Sequence, residues 1–189
     1  THSTSSAASD VYKRQSYTAS KIEGKKKGKA FADEVLSLLF FILIFLVTLA
    51  EIFTPYLVYI IAPGFIEDDN KFNLAIEFTR ITFPFLLFVS LSSFFSGILN
   101  SNNKFAAASA APIILNVVLI VSILIAYNLN LDIAEKLSYG VTIAGIIQLV
   151  FLIYVTDKYY KPRVKIKLKV SKKVKFFFRK LIPSILSSC

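Results

Sequence analysis

Apolar residues run through this chain in long uninterrupted blocks joined by short polar links. A helix rising about 1.5 Å per residue needs about twenty apolar residues to cross hydrocarbon. Four stretches meet that length, at about 35–62 (through LSLLFFILIFLVTLAEIFTPYLVYIIA), 81–99, 105–127 and 137–156. A further apolar run, FFFRKLIPSILSS, begins at Phe176. None alternates with period two over a strand length, as the wall of a transmembrane β-barrel would. Over such single stretches in lipid, a helix is the structure that satisfies its own backbone. The pattern predicts an all-α fold, a polytopic transmembrane helix bundle of about four complete spans plus the start of a fifth.

The polar links carry the orientation. Lys21, Lys25, Lys26, Lys27 and Lys29 precede the first span, in a basic segment at 16–34. Glu67, Asp68, Asp69 and Glu77 outnumber Lys71 and Arg80 between spans one and two, Lys104 is the single charge of the 100–104 link, and Asp132, Glu135 and Lys136 separate spans three and four. Eleven basic residues follow between Lys158 and Lys180. Lys and Arg accumulate on the cytoplasmic side of membrane proteins, so 16–34, 100–104 and the linker at 157–175 are expected to be cytoplasmic. The pair Asp68 and Asp69 reads as a determinant of topology in a solvated external loop.

Composition changes two points of this picture. Charged residues make up 18% and hydrophobic ones 55%, against roughly 25% charged in soluble domains, which argues against a soluble enzyme. The net charge of +10 lies beside membrane helices, where it sets topology and attracts anionic headgroups. A nucleic-acid surface would interleave base-stacking aromatics on a soluble face, and no nucleic-acid partner is expected. The stretch RVKIKLKV at 163–170 alternates basic and apolar residues, and reads as an extended segment on the membrane surface, an edge strand, or a linker with solvated lysines. Residues 1–15, THSTSSAASDVYKRQ, are polar and aperiodic and are expected to be a disordered tail or a translated sequencing adapter outside the fold. The chain holds no Met, and its one Cys, Cys189, cuts into an apolar run, so an interior stretch of a longer protein is expected. One Cys allows no intrachain disulfide.

Polar groups at membrane depth are costly and are functional candidates by default. Glu51 interrupts the first span four residues before Pro55; it reads either as a cavity-facing carboxylate or as a group at a wet bundle interior of a long, tilted helix. Arg80, at the entry to span two, reads as a contact for an anionic group or as a side chain snorkelling to headgroups. Asn116 and Gln148 are expected to make interhelical hydrogen bonds, with substrate contact as the alternative. Pro55, Pro84 and Pro112 read as kinks. Ser90, Ser93, Gly97, the 106–111 run, Gly140, Ala144 and Gly145 read as close-packing positions. No catalytic constellation, metal-ligand cluster or phosphate loop emerges, so no enzyme and no cofactor is expected.

Three motifs in order carry a resemblance: APGF at 62–65, TRITFPFLLFVSLSSFFSGILNSNNKFAAASAAPIILNVVLI at 79–120, and GVTIAGIIQLVFLIY at 140–154. Together they resemble the MurJ (MviN) family of lipid II flippases, of the multidrug/oligosaccharidyl-lipid/polysaccharide exporter superfamily. The likeness covers roughly residues 16–189 and implies the third to sixth of about fourteen helices. Ala108 departs from a proline expected there, softening a bend at the start of span three. The resemblance implies movement of lipid II, the undecaprenyl-linked peptidoglycan precursor, from the inner to the outer leaflet of the bacterial cytoplasmic membrane by alternating access. The cationic cavity residues it implies belong chiefly to helices this chain does not cover, which leaves Glu51, Arg80, Asn116 and Gln148 as cavity candidates. A flippase for another lipid-linked oligosaccharide of O-antigen type, a non-transporting cell-envelope scaffold, and an enzyme acting on a lipid-linked substrate are the rival readings.

Overall fold

The computed structural model describes residues 2–164. The basic run beyond Val164, with most of RVKIKLKV, the apolar run from Phe176 and Cys189 lie outside the described residues. Among the described residues seven α-helices follow one another: α1 His2–Ile52, α2 Thr54–Ile61, α3 Asp69–Thr82, α4 Phe85–Ser101, α5 Phe105–Ser109, α6 Ala111–Asn128 and α7 Ile133–Thr156, with a 3-10 turn at Pro63–Phe65. Four stretches of the described residues are long and apolar enough to cross a membrane: Lys27–Ile52, Asp69–Ser101, Phe105–Asn128 and Ile133–Thr156. The architecture is an all-α, multi-pass membrane bundle, and no strand occurs among the described residues.

Helix boundaries differ from the apolar blocks for local reasons. The first block is divided at Phe53, ahead of Pro55. The second begins early, because α3 adds an amphipathic stretch from Asp69 that continues into α4 across Pro84. The third is divided at Ala110, with Pro112 in the first turn of α6, so the helical ladder is interrupted there although position 108 is alanine. α1 extends to His2 and runs through the basic segment.

Acidic loop residues close the helix starts. The Asp68 carboxylate accepts from the amides of Asn70 and Lys71 at 3.1 and 3.3 Å, and Asp132 accepts from the amide of Glu135 at 2.7 Å. Such caps satisfy amides that the first turn leaves orphaned. Two helix ends share one solution. Asn103 (φ 59°) and Asn130 (φ 52°) adopt the left-handed conformation, while Lys104 N–H donates to Leu99 O and Leu131 N–H to Ala126 O, each at 2.9 Å. Asparagine tolerates that region better than other non-glycine residues.

The chain divides into two compact units, Thr1–Ser37 with Pro162–Cys189, and Leu38–Lys161. In the first, the Asp33 carboxylate accepts from the amide of Arg163 at 3.2 Å. The second is organised around α7, which packs on α6, α4 and α3. Its span is 33% buried, against 6% for the α6 span. The buried side of α7 repeats at helical spacing through Gly140, Ala144, Gln148, Leu152 and Thr156. A Cβ added at Gly140 would lie 2.5 Å from Ser122 Oγ of α6, and one at Gly145 would lie 2.7 Å from Phe85 Cδ2 and 3.1 Å from Phe88 Cβ of α4. Two glycines on different sides of α7 thus let two helices approach it. Lower down, the ring of Tyr160 stands edge-on to Phe94 at 6.2 Å, so α4 and α7 run parallel.

Gly145→Val is expected to force α4 and α7 apart and to cost about 1–3 kcal/mol, the usual range for overpacking. Gly140→Ala should cost less, because the Ser122 hydroxyl can rotate away. At Gly97 an added Cβ meets nothing within 4 Å, so Gly97→Ala should gain up to about 1 kcal/mol of helix propensity. Thermal unfolding of the three variants in detergent checks the order.

Candidate functional site: a charge pair at two proline breaks

Each of two helical spans carries a proline with a charged residue four positions before it: Glu51 before Pro55, and Arg80 before Pro84. Proline has no amide hydrogen, so the carbonyl four residues earlier loses its helical donor. In lipid that loss must be made good from within the protein. At the first break the fully buried hydroxyl of Thr54 donates to the Glu51 carbonyl at 3.0 Å and to the Ala50 carbonyl at 2.8 Å. At the second, the ladder is interrupted between Thr82 and Phe85. There the hydroxyl of Thr142, on α7, donates to the carbonyl of Ile81, which ties the break to the centre of the bundle.

The same breaks place the two charges. Glu51 lies in the last turn of α1 and Arg80 in the last turn of α3. Burial is the main influence on the Glu51 carboxylate, and the charge of Arg80 a second, attractive one. They do not form a contact ion pair: Glu51 is half-buried, and its Oε1 is shielded from solvent without a hydrogen-bond partner. Arg80 is exposed. An apolar groove of ≈ 580 Å³ runs beside both breaks, lined by Leu46, Ala50 and Phe53 on one side and Phe83, Leu86 and Ser90 on the other. Neither Glu51 nor Arg80 lines that groove; an exposed guanidinium can take an anionic oxygen in a charge-assisted hydrogen bond.

The other polar candidates do not join this pair. Gln148 is 6% exposed on the packed side of α7, whereas Asn116 faces outward from α6. Pro55 and Pro112 occupy the first turns of α2 and α6, and Pro84 immediately precedes α4. Gly145 is a tight contact, and Gly97 is open among the described residues. Sequence reasoning passed over Thr54 and Thr142. The signal for Thr54 was local, a hydroxyl immediately before a proline. For Thr142 there was none, since its acceptor lies 61 residues away. Ser92 and Thr156 are buried with unpartnered hydroxyl oxygens, and both went unremarked for the same reason.

Four helices of membrane-crossing length and apolar composition among the described residues define a polytopic helical membrane protein. The sequence matches the family model described as lipid II flippase MurJ over residues 11–189. It is 41% identical to the probable lipid II flippase MurJ of Rickettsia prowazekii over 142 residues, 75% of this chain and 28% of that protein. It is 39% identical to the protein of the same description from Rhizobium tropici over 135 residues (69% and 25%) and 37% identical to that of Rhizobium meliloti over 130 residues (67% and 24%). The chain belongs to the MurJ family of lipid II flippases. It spans about a quarter of the length of the curated relatives it matches.

Coupling between the two charges is measurable. Arg80→Gln should lower the thermal midpoint, because it leaves the Glu51 carboxylate without its compensating charge. Glu51→Gln in the Arg80→Gln background should recover part of that loss. Additive effects in this double-mutant cycle would show that the charges act independently.

Proposed function

We propose that this chain forms part of the wall of a flippase that carries lipid II from the inner to the outer leaflet of the bacterial cytoplasmic membrane. The family match across residues 11–189 carries the reading. An amphiphile with a large anionic headgroup cannot cross hydrocarbon unaided, and a cavity that opens alternately to each side replaces its hydration on the way. The work is transport rather than bond chemistry. In this reading Arg80 meets the anionic headgroup at the cavity margin, and Glu51 behind it keeps the attraction weak enough for release. Gln148 holds helix packing and Asn116 faces a neighbouring helix of the whole protein.

The arrangement of charge supports an orientation in which residues 16–34, 100–104 and 157–175 are cytoplasmic and the loops of Asp68–Asp69 and Asp132 are external. The basic cytoplasmic segments then lie against anionic headgroups of the inner leaflet, each lysine or arginine near the surface contributing about 1 kcal/mol.

Two measurements test this. With Cys189 replaced by Ser, Asp69→Cys should react with an impermeant maleimide in intact cells, and Lys104→Cys only after permeabilisation; the reverse pattern would overturn the orientation. In proteoliposomes, Arg80→Glu should slow lipid II translocation about tenfold, the equivalent of one charge-assisted contact at ~1.5 kcal/mol. An unchanged rate would remove Arg80 from the transport path.

A further inference from the structure

Three of the six basic side chains of the unit Leu38–Lys161 make an ion pair with an acidic one. Lys71 pairs with Asp68 at 3.2 Å, Lys136 with Glu135 at 2.8 Å and Lys161 with Asp157 at 3.8 Å, while Arg80 acts on Glu51. Lys104 and Lys158 are the two left over in this unit: neither makes an ion pair with a described residue. They come from links 54 residues apart in sequence, yet both line one cavity of ≈ 380 Å³, together with Asn103, Tyr154 and Tyr159. That volume would hold about a dozen waters at ~30 Å³ each, which is room for a phosphodiester headgroup.

The cavity does not end at the lysines. A second hollow of ≈ 430 Å³ runs along α7 past Val150 and Ile153 and shares Tyr154 and Lys158 with the first. One end of the combined hollow is cationic, the other apolar, and two tyrosines stand at the charged end, the level where aromatic belts meet headgroups. Asp157 borders the groove, but its carboxylate is engaged by Lys161. The left-handed turn at Asn103 sets Lys104 immediately before α5, and Lys158 follows the last turn of α7. Both cations therefore sit at the same end of the membrane-crossing helices, where lipid phosphates lie.

We infer that this hollow binds an anionic glycerophospholipid of the surrounding bilayer, with its phosphate at Lys104 and Lys158 and an acyl chain along Val150 and Ile153. The inference deepens the headgroup contact proposed above by assigning it a site. It rests on the membrane placement of the helices and not on which cargo is moved. A bound lipid here bridges the start of α5 and the end of α7, two elements joined in the chain only through α6.

The test uses native mass spectrometry of the full chain released from micelles holding equal phosphatidylglycerol and phosphatidylcholine. The unaltered protein should retain phosphatidylglycerol preferentially, and Lys104→Gln with Lys158→Gln should reduce that retention at least threefold. Lys71→Gln with Lys136→Gln should leave it unchanged, and so should 10 mM inorganic phosphate, about the level that would fill a free-anion site. Lys104→Arg with Lys158→Arg should retain the lipid, which separates loss of the site from loss of the fold. Retention unaffected by the Gln pair would overturn the assignment. So would an equal loss at Lys71 and Lys136, which would mean diffuse attraction, or displacement by phosphate. None of these outcomes depends on a transport assay, so the flippase reading stands or falls separately.

Discussion

Every backbone amide and carbonyl at membrane depth needs a partner supplied by the protein, and the organisation of this bundle follows from that constraint. Straight apolar helices meet it automatically. Spans interrupted by proline do not, and at two of the three breaks a threonine hydroxyl supplies a bond: Thr54 to the Glu51 carbonyl within its own turn, and Thr142 from across the bundle to the Ile81 carbonyl, next to the one that Pro84 leaves without a donor. The second repair has consequences beyond the bond itself. It fixes the height of α7 against the break in the α3–α4 span, and so helps set which residues of α7 meet α4.

Close approach around α7 is the other half of that arrangement. Lipid provides little hydrophobic force between helices, so packing and hydrogen bonds hold them together. Gly140 and Gly145 allow α6 and α4 to come within ordinary contact of the α7 backbone. The Gln148 amide is buried one turn further along, and Tyr160 extends the contact beyond the helix end to Phe94. A helix packed on several sides is a stiff element. The α6 span, by contrast, leaves most of its surface free, as a helix does when it faces lipid or the remainder of a longer protein.

Charge is distributed between these two features. At the breaks, Glu51 and Arg80 balance one another without touching, which leaves the guanidinium able to meet an external anion. At the opposite end of the same spans, Lys104 and Lys158 are balanced by nothing in the described chain. The two places differ in kind: at the first opposite charges lie on neighbouring breaks, whereas at the second two like charges line one cavity.

The all-α class, the four spans and the family were legible along the chain, because length in hydrocarbon and the order of motifs such as APGF and TFP are one-dimensional properties. The amino-acid sequence also marked Glu51 and Arg80, since a charge inside an apolar run stands out without any neighbour. Helix breaks at Phe53 and Ala110 were only half legible, because proline announces an interruption but not the residue at which the ladder parts. The interaction of Glu51 with Arg80, the bond from Thr142 to Ile81 and the shared cavity of Lys104 and Lys158 were decided by tertiary structure alone. Each joins residues tens of positions apart. Periodicity along one helix shows which residues share a face, but the helix that will lie against that face is chosen by three-dimensional packing.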